Sequence, residues 1–199
     1  MKKSLVLILM FVALLASAQT PKQMLDKAVA ALNGTVSANY SVKTPQGTMS
    51  GNIIISGNKF RMLSKDVKCW YDGKNQWTYS TATDEVNITI PTAAELSMTN
   101  PMAAAQAFKT QFKMWKAAGQ IPKHYAIMLK PKAKSEINQV YLYISEGTNL
   151  LHQAHFKMND GTSFTITLTN YKTNAAASAS TFTYDASLVP AGTSVVDLR

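Results

Sequence analysis

From Thr35 onward the chain is written in a two-residue period, broken at short intervals by turn residues, and that pattern restricts it to an antiparallel sheet. Val36, Ala38, Tyr40 and Val42 alternate with polar residues before Pro45-Gln46-Gly47 turns the chain. Strand-like stretches follow at 48–56, 59–64, 67–71, 76–81 and 85–90. Gly57-Asn58, Asp72-Gly73-Lys74 and Ala82-Thr83-Asp84 connect them, and glycine and Asp-Gly suit the positive φ angles of tight hairpins. A second series runs over 124–130, 136–145, 150–158, 162–171 and 181–184, with turns at 146–149 and at Asn159-Asp160-Gly161. Within it Phe164, Ile166 and Leu168 oppose Thr165, Thr167 and Thr169, which makes one face apolar and the other polar. So many neighbouring hairpins predict one long antiparallel meander, and twist forbids a sheet of that size from staying flat.

Two segments abandon the period. Thr20-Pro21-Lys22-Gln23 supplies a capping hydroxyl, a proline at the first helical position and a glutamine three residues past the cap. Leu25, Ala28, Val29 and Leu32 then recur at helical spacing up to Gly34. The stretch from Pro91 to about Gln120 is rich in alanine, methionine and glutamine, and Asn100-Pro101 is a second helix start. Met102, Phe108, Phe112 and Trp115 give this insert a bulky apolar stripe. Both helices need an apolar partner, and the inner face of the curved sheet supplies one. The expected class is α+β: a single large curved antiparallel sheet with helices covering the concave apolar face.

The first eighteen residues stand apart. Lys2-Lys3, the apolar run Leu5–Leu15 and the small-x-small Ala16-Ser17-Ala18 spell a secretory leader. The run falls short of the roughly 20 apolar residues a membrane-spanning helix takes. The expected organisation is a signal peptide at 1–18, cleaved after Ala18, and one exported domain at 19–199. No cysteine follows the apolar run to carry a lipid, so the exported chain is expected to be soluble. Lys2 and Lys3 leave with the leader, which takes the formal charge from +9 to +7. Of the 20 basic residues only Arg61 and Arg199 are arginines, so the planar fork that reads bases and phosphates is nearly missing, and no nucleic-acid partner is expected. Lys109, Lys113 and Lys116, with Lys123 beyond, form a basic flank. It reads either as a solvated face or as a docking surface for an acidic partner or anionic headgroups.

Chemistry is sparse. The sequence holds no Gly-x-Ser-x-Gly elbow, His-Glu-x-x-His pair, phosphate loop or dinucleotide fingerprint. His152 and His155 are three apart on one strand and point to opposite faces, while His124 has no acidic neighbour, so no metal is expected. The lone cysteine, Cys69, rules out an intramolecular disulfide and zinc sites built on paired cysteines. It alternates with Val67 and Tyr71 inside a strand, as a buried structural thiol does. Neither catalysis nor a cofactor is expected. What remains is apolar content: Met98, Met102, Met114 and Trp115 in the insert, and Trp70 and Trp77 flanking the Asp-Gly turn. It reads as ordinary packing or as the adaptable surface that thioethers provide.

A family resemblance gives that surplus a meaning. Gly51-Asn52-Ile53-Ile54-Ile55-Ser56-Gly57-Asn58-Lys59-Phe60-Arg61, then Trp70-Tyr71-Asp72-Gly73-Lys74-Asn75-Gln76-Trp77-Thr78-Tyr79, then Glu85-Val86, resembles the LolA family of periplasmic outer-membrane lipoprotein carriers. Asn159-Asp160-Gly161, the 163–168 strand, Asn174, Phe182-Thr183-Tyr184, Pro190 and Val195-Val196 continue the likeness. The resemblance implies an incomplete β-barrel with a helical lid over a cavity for acyl chains. It also implies a monomer that takes acylated lipoproteins or lipid from an inner-membrane ABC exporter to an outer-membrane acceptor. On this reading Ile53, Ile55, Phe60, Met62 and Trp77 line the cavity from the sheet, and Met102, Phe108, Phe112 and Trp115 from the lid. The alternatives are a lipid- or glycolipid-binding or envelope-sensing module on the same scaffold, and a small exported hydrolase, for which no cluster of titratable groups is in view. The chain departs from the family at Ser56-Gly57-Asn58-Lys59. Better-known members carry there an arginine, beside a proline, that is tied to lid closure, and the resemblance gives that role to neither Lys59 nor Arg61.

Overall fold

A computed structural model describes residues 19–199, and the expected leader and its cleavage point lie outside the described residues. Helix α1, Pro21–Ala30, begins as its capping box dictates: the Thr20 hydroxyl accepts from the Gln23 N–H, and the Gln23 side chain accepts from the Thr20 N–H. Its apolar stripe buries Met24, Leu25 and Ala28. Six strands follow: β1 Thr35–Thr44, β2 Gly47–Ser56, β3 Lys59–Ser64, β4 Val67–Tyr71, β5 Gln76–Ser80 and β6 Glu85–Thr89. At the β4–β5 turn one Asp72 carboxylate oxygen accepts from the N–H groups of Lys74 and Asn75, both at 2.8 Å. Helices α2, Ala93–Thr99, and α3, Pro101–Gln111, come next. The chain then returns to strands with β7 Phe112–Ala117, β8 His124–Pro131, β9 Ile137–Ser145, β10 Leu151–Met158 and β11 Ser163–Thr173. Two short 3₁₀ turns, Ala179–Phe182 and Ala186–Leu188, precede β12, Ser194–Asp197.

All twelve strands form one open sheet in the order β12-β6-β5-β4-β3-β2-β1-β11-β10-β9-β8-β7. The expected single meander is therefore corrected. There are two meanders, β1–β6 and β7–β11, joined where the first strand of one pairs antiparallel with the last strand of the other, Tyr40 opposite Leu168 and Val42 opposite Ile166. Added to these is a parallel strand that local patterning does not announce: β12 lies along β6, with Val195 beside Val86. This topology places the lid. Strands β6 and β7 are consecutive along the chain yet stand near opposite ends of the sheet, so the helical link between them has to cross the concave face.

Two element assignments also change. The insert stops being helical at Gln111, and Phe112–Ala117 is a strand paired with β8. Phe108, Phe112 and Trp115 sit at helical spacing, while Phe112 and Met114 also alternate with lysines. Pairing with β8 settled an ambiguous pattern in favour of the strand. The 181–184 stretch, expected as a strand, lies beside a 3₁₀ turn whose Phe182 is buried.

The core is layered to match. On the concave side one cluster joins Met24, Leu25 and Ala28 of α1 to Ile127, Leu129 and Leu142. A second joins Ala38, Tyr40, Ile53, Ile55 and Phe60 to Tyr71. On the convex side Trp70, Tyr79 and Val86 are covered by Tyr184, Leu188 and Val189 of the C-terminal segment. Trp70 meets Tyr184 edge-on at 5.7 Å. Gly51 lets the concave wall close up. A Cβ there would stand 2.8 Å from the Tyr40 hydroxyl and closer still to the Leu63 carbonyl oxygen, so only glycine permits that approach of β2 to β3.

Candidate functional site: an apolar concave face under a latched lid

Alternation decides which side chains can face a cargo. In β2 and β3, Ile53 opposes Met62 and Ile55 opposes Phe60; Met62 then opposes Cys69, and Phe60 opposes Tyr71. These residues share one face, the face the helices cover. Ile53 and Ile55 are 5% exposed and Phe60 is fully buried, its ring 5.6 Å from that of Tyr71. From above, Leu96 of α2 and Met102 of α3 pack onto the same cluster, while Phe108 packs onto the other one. Phe108 meets Phe112 edge-on at 5.2 Å and Phe156 at 6.4 Å. The structure thus gathers Ile53, Ile55, Phe60, Met62 and Met102 in one concave cluster, and Phe108 and Phe112 in its neighbour.

Trp77 and Trp115 do not join them. Arg61 opposes Trp70 and Trp70 opposes Trp77, so Trp77 lies on the convex face, against the C-terminal segment. One residue of parity separates it from Thr78, which shares the Cys69 face. Trp115 opposes Met128, which opposes Tyr141, and this row too is convex. Trp115 is 42% exposed. The expected facing of both tryptophans is corrected, Trp115 because it belongs to a strand and not to the lid.

The lid itself is lightly held. No residue of α2 is fully buried, and in α3 only Ala105 is. Its polar ties are few and specific. At the α2–α3 junction Asn100 is the one fully buried polar residue among the described residues, 2% exposed. Its side-chain oxygen caps α3, accepting from the N–H groups of Met102 at 2.9 Å and Ala103 at 3.4 Å. Its side-chain nitrogen donates to the Asn58 carbonyl, 2.7 Å away in the β2–β3 turn. One residue therefore ends one helix through its backbone N–H, starts the next through its side-chain oxygen and fastens both to the sheet through its side-chain nitrogen. At the other end Lys109 pairs with Asp26 of α1 at 2.6 Å, and Lys132 donates to the Thr110 carbonyl at 2.7 Å. The sequence marks Asn100 as a cap before proline. Its second bond reaches back 42 positions, and no local pattern carries that information.

Other polar groups fill in the picture. The Tyr40 hydroxyl, within the concave cluster, is buried with no hydrogen-bond partner. The rings of His124 and His152 lie 4.8 Å apart, and His155 Nδ1 meets the Thr165 hydroxyl at 2.9 Å. Among the described residues no three His, Cys, Asp or Glu side chains converge in a metal-binding arrangement. The Cys69 thiol is buried, its Sγ 3.6 Å from the Thr78 hydroxyl, and burial pushes its pKa from the ordinary 9.0 up to about 11. A folded-state pKa raised on an acid stabilises the fold at low pH. The contribution is complete below pH 9, where both states keep the proton, and is lost as pH rises towards 11, because the unfolded chain ionises first. We expect Cys69 to add about 2–3 kcal/mol to the alkaline loss of stability over that window. The check is denaturant melts of wild type and Cys69→Ala from about pH 8 to 11. The buried hydroxyls of Tyr40, Tyr71 and Tyr171 shift in the same direction, so the informative quantity is the difference between the two slopes.

A family profile described as outer membrane lipoprotein carrier protein LolA matches residues 12–162. No curated protein matches the chain. Among solved structures, an uncharacterized conserved protein from Thermus thermophilus is similar at TM-score 0.64 and 12% identity, over 88% of this chain and 98% of that one. The complex of MucA and MucB from Pseudomonas aeruginosa is similar at TM-score 0.50 and 9% identity, over 83% and 61%. A LolA superfamily protein, NE2245 from Nitrosomonas europaea, follows at TM-score 0.46 and 12% identity, over 84% and 99%. At these identities the structural likenesses concern the fold alone.

Proposed function

Because the chain belongs to the LolA family of outer membrane lipoprotein carriers, we propose that it is a periplasmic carrier that holds the acyl chains of lipoproteins between its concave sheet face and its α2–α3 lid. Residues 1–18 are then its export signal, and the mature chain begins at Gln19. It receives cargo from an inner-membrane ABC exporter and delivers it to an outer-membrane acceptor. The observation that carries the reading is the lid: an apolar-faced helical segment that topology forces across an apolar sheet face, tied down by a handful of polar contacts. Its own Leu96, Met102 and Phe108 occupy the place of cargo when it is shut. Each acyl methylene that replaces them contributes about 0.8 kcal/mol of burial, enough to displace a lid that buries little itself. Ile53, Ile55, Phe60, Met62, Met102, Phe108 and Phe112 are the contact residues on this reading.

The test is native mass spectrometry and equilibrium binding with a synthetic triacylated cysteinyl peptide. One peptide per protein is expected, with binding lost when the same peptide lacks its acyl chains. Equal binding of the unacylated peptide, or none of either, would sink the proposal. Binding of free glycolipid in preference to the acylated peptide would move the chain to the lipid-binding alternative.

A further inference from the structure

The sheet ends in β7, against which helices α1 and α3 pack but along which no further described strand runs. Strand β7 pairs with β8 on one side, and among the described residues no strand lies along its other side. Such an edge presents unpaired N–H and C=O groups, and proteins guard it with charge or bury it. Here the guard is exposed lysine, Lys113 and Lys116, with Lys130 directly opposite Lys113 on β8. Among the described residues no carboxylate pairs with any of these three. Charge alone would make this a blunted edge, but two further features do not fit blunting. On the concave side an open groove of about 240 Å³ runs between the start of α1 and β7, with Phe112 and Met114 as its apolar wall and Lys22 and Lys109 as its basic wall. On the convex side the half-exposed Trp115 shares its face with Lys113 and Lys130, while Lys116 lies on the groove side with Phe112 and Met114.

We infer that the free edge of β7 is a docking site for an extended acidic segment of a partner protein, which adds to the sheet as a further strand. Alternation prescribes the segment. Side chains directed into the groove are apolar, to meet Phe112 and Met114. Those on the other face carry carboxylates for Lys113 and Lys130 and rest against Trp115. Lys22 and Lys109 share the single carboxylate of Asp26, whereas Lys113, Lys116 and Lys130 have none among the described residues, so most of the uncompensated charge sits on the paired strands β7 and β8. A second copy is a poor occupant, since two β7 edges in antiparallel register bring lysine against lysine. At the opposite end β12 is only four residues long, and its Asp197 is taken by Arg199. The docking site borders the proposed acyl-binding face, sharing Phe112 with it, but the free strand edge that carries it does not depend on the cargo reading.

The experiment is a titration of the purified protein with an unacylated peptide of alternating glutamate and valine, read by hydrogen exchange at each amide and by tryptophan fluorescence. The expected result is binding that slows exchange within 112–117 at least tenfold and shifts the emission, the shift disappearing in Trp115→Phe. Reversing charge in Lys113→Glu with Lys130→Glu is expected to weaken that peptide at least tenfold and to create binding of a lysine–valine peptide, with an unchanged melting curve. The same acidic peptide N-methylated at alternate residues is expected not to bind. Binding without protection of 112–117, equal binding of the N-methylated peptide, or association only with phosphatidylglycerol vesicles would overturn the inference. A failure of acyl binding leaves these readouts untouched.

Discussion

Asn100→Ala is expected to bind an acylated ligand at least tenfold more tightly than wild type and to lose exchange protection throughout 93–111. Two costs fall on the closed lid. Removing an asparagine cap costs about 1 kcal/mol. Losing the bond to the Asn58 carbonyl, which sits on an exposed turn, costs about 0.5–1.5 kcal/mol more. Together they weaken closure by about 1.5–2.5 kcal/mol, and apparent affinity rises with the fraction of molecules already open, until the open state dominates. Asn100→Asp separates the two roles, since a carboxylate still caps α3 but cannot donate to Asn58. It is expected to recover the helix protection near 101–104 while leaving the latch broken. Exchange measured by mass spectrometry, beside titration with the triacylated peptide, checks both. Wild-type affinity in Asn100→Ala would mean the latch does not gate the site.

The largest loss of stability is expected at Phe60→Ala. The ring is fully buried at the centre of the second concave cluster, between Ile55 on one neighbouring strand and Tyr71 on the other. Deleting a buried phenyl from such a site costs about 3–5 kcal/mol, because the hairpins around it cannot collapse into the hole. For a chain of this size that lowers the melting temperature by about 6–20 °C. Phe60→Leu keeps most of the volume and should cost under about 1.5 kcal/mol. Thermal melts followed by circular dichroism decide it. A drop below about 1 kcal/mol for the alanine variant would show that the concave face is soft enough to close without the ring.

If the chain acts as the proposed carrier, the two variants bracket what its fold has to balance. The sheet wall must be rigid, and its rigidity comes from residues such as Phe60 and Gly51 that admit no substitute of different size. The lid must be exchangeable, so it buries almost nothing outright and is fastened by polar contacts whose strength depends on geometry. On the proposed reading Met102, Leu96 and Phe108 stand in for cargo without competing strongly with it.

Much of this was legible along the chain. The capping box at Thr20, the Asp-Gly turn at 72–73 and the clean alternation of Phe164, Ile166 and Leu168 each rest on interactions spanning a few residues, so the hairpins and α1 could be read directly. The parity of Ile53, Ile55, Phe60 and Met62 was also local. Trp77 and Trp115 were misread for opposite reasons. Trp77 stands one residue out of phase with the concave face in its own strand. Trp115 obeys helical and strand spacing at once, and only its pairing with Met128 on β8 chose between them.

By itself, then, the sequence determined most of the strands, the two helix starts, the apolar surplus and the absence of a recognisable catalytic motif, because propensity, capping and turn chemistry act between near neighbours. The tertiary structure alone decided that β1 meets β11 and that β12 lies parallel to β6. It also decided that α2–α3 crosses the concave face and that Asn100 reaches Asn58. Those contacts join residues far apart in the chain, where the energy of the whole packed sheet, and no local preference, chooses the partner.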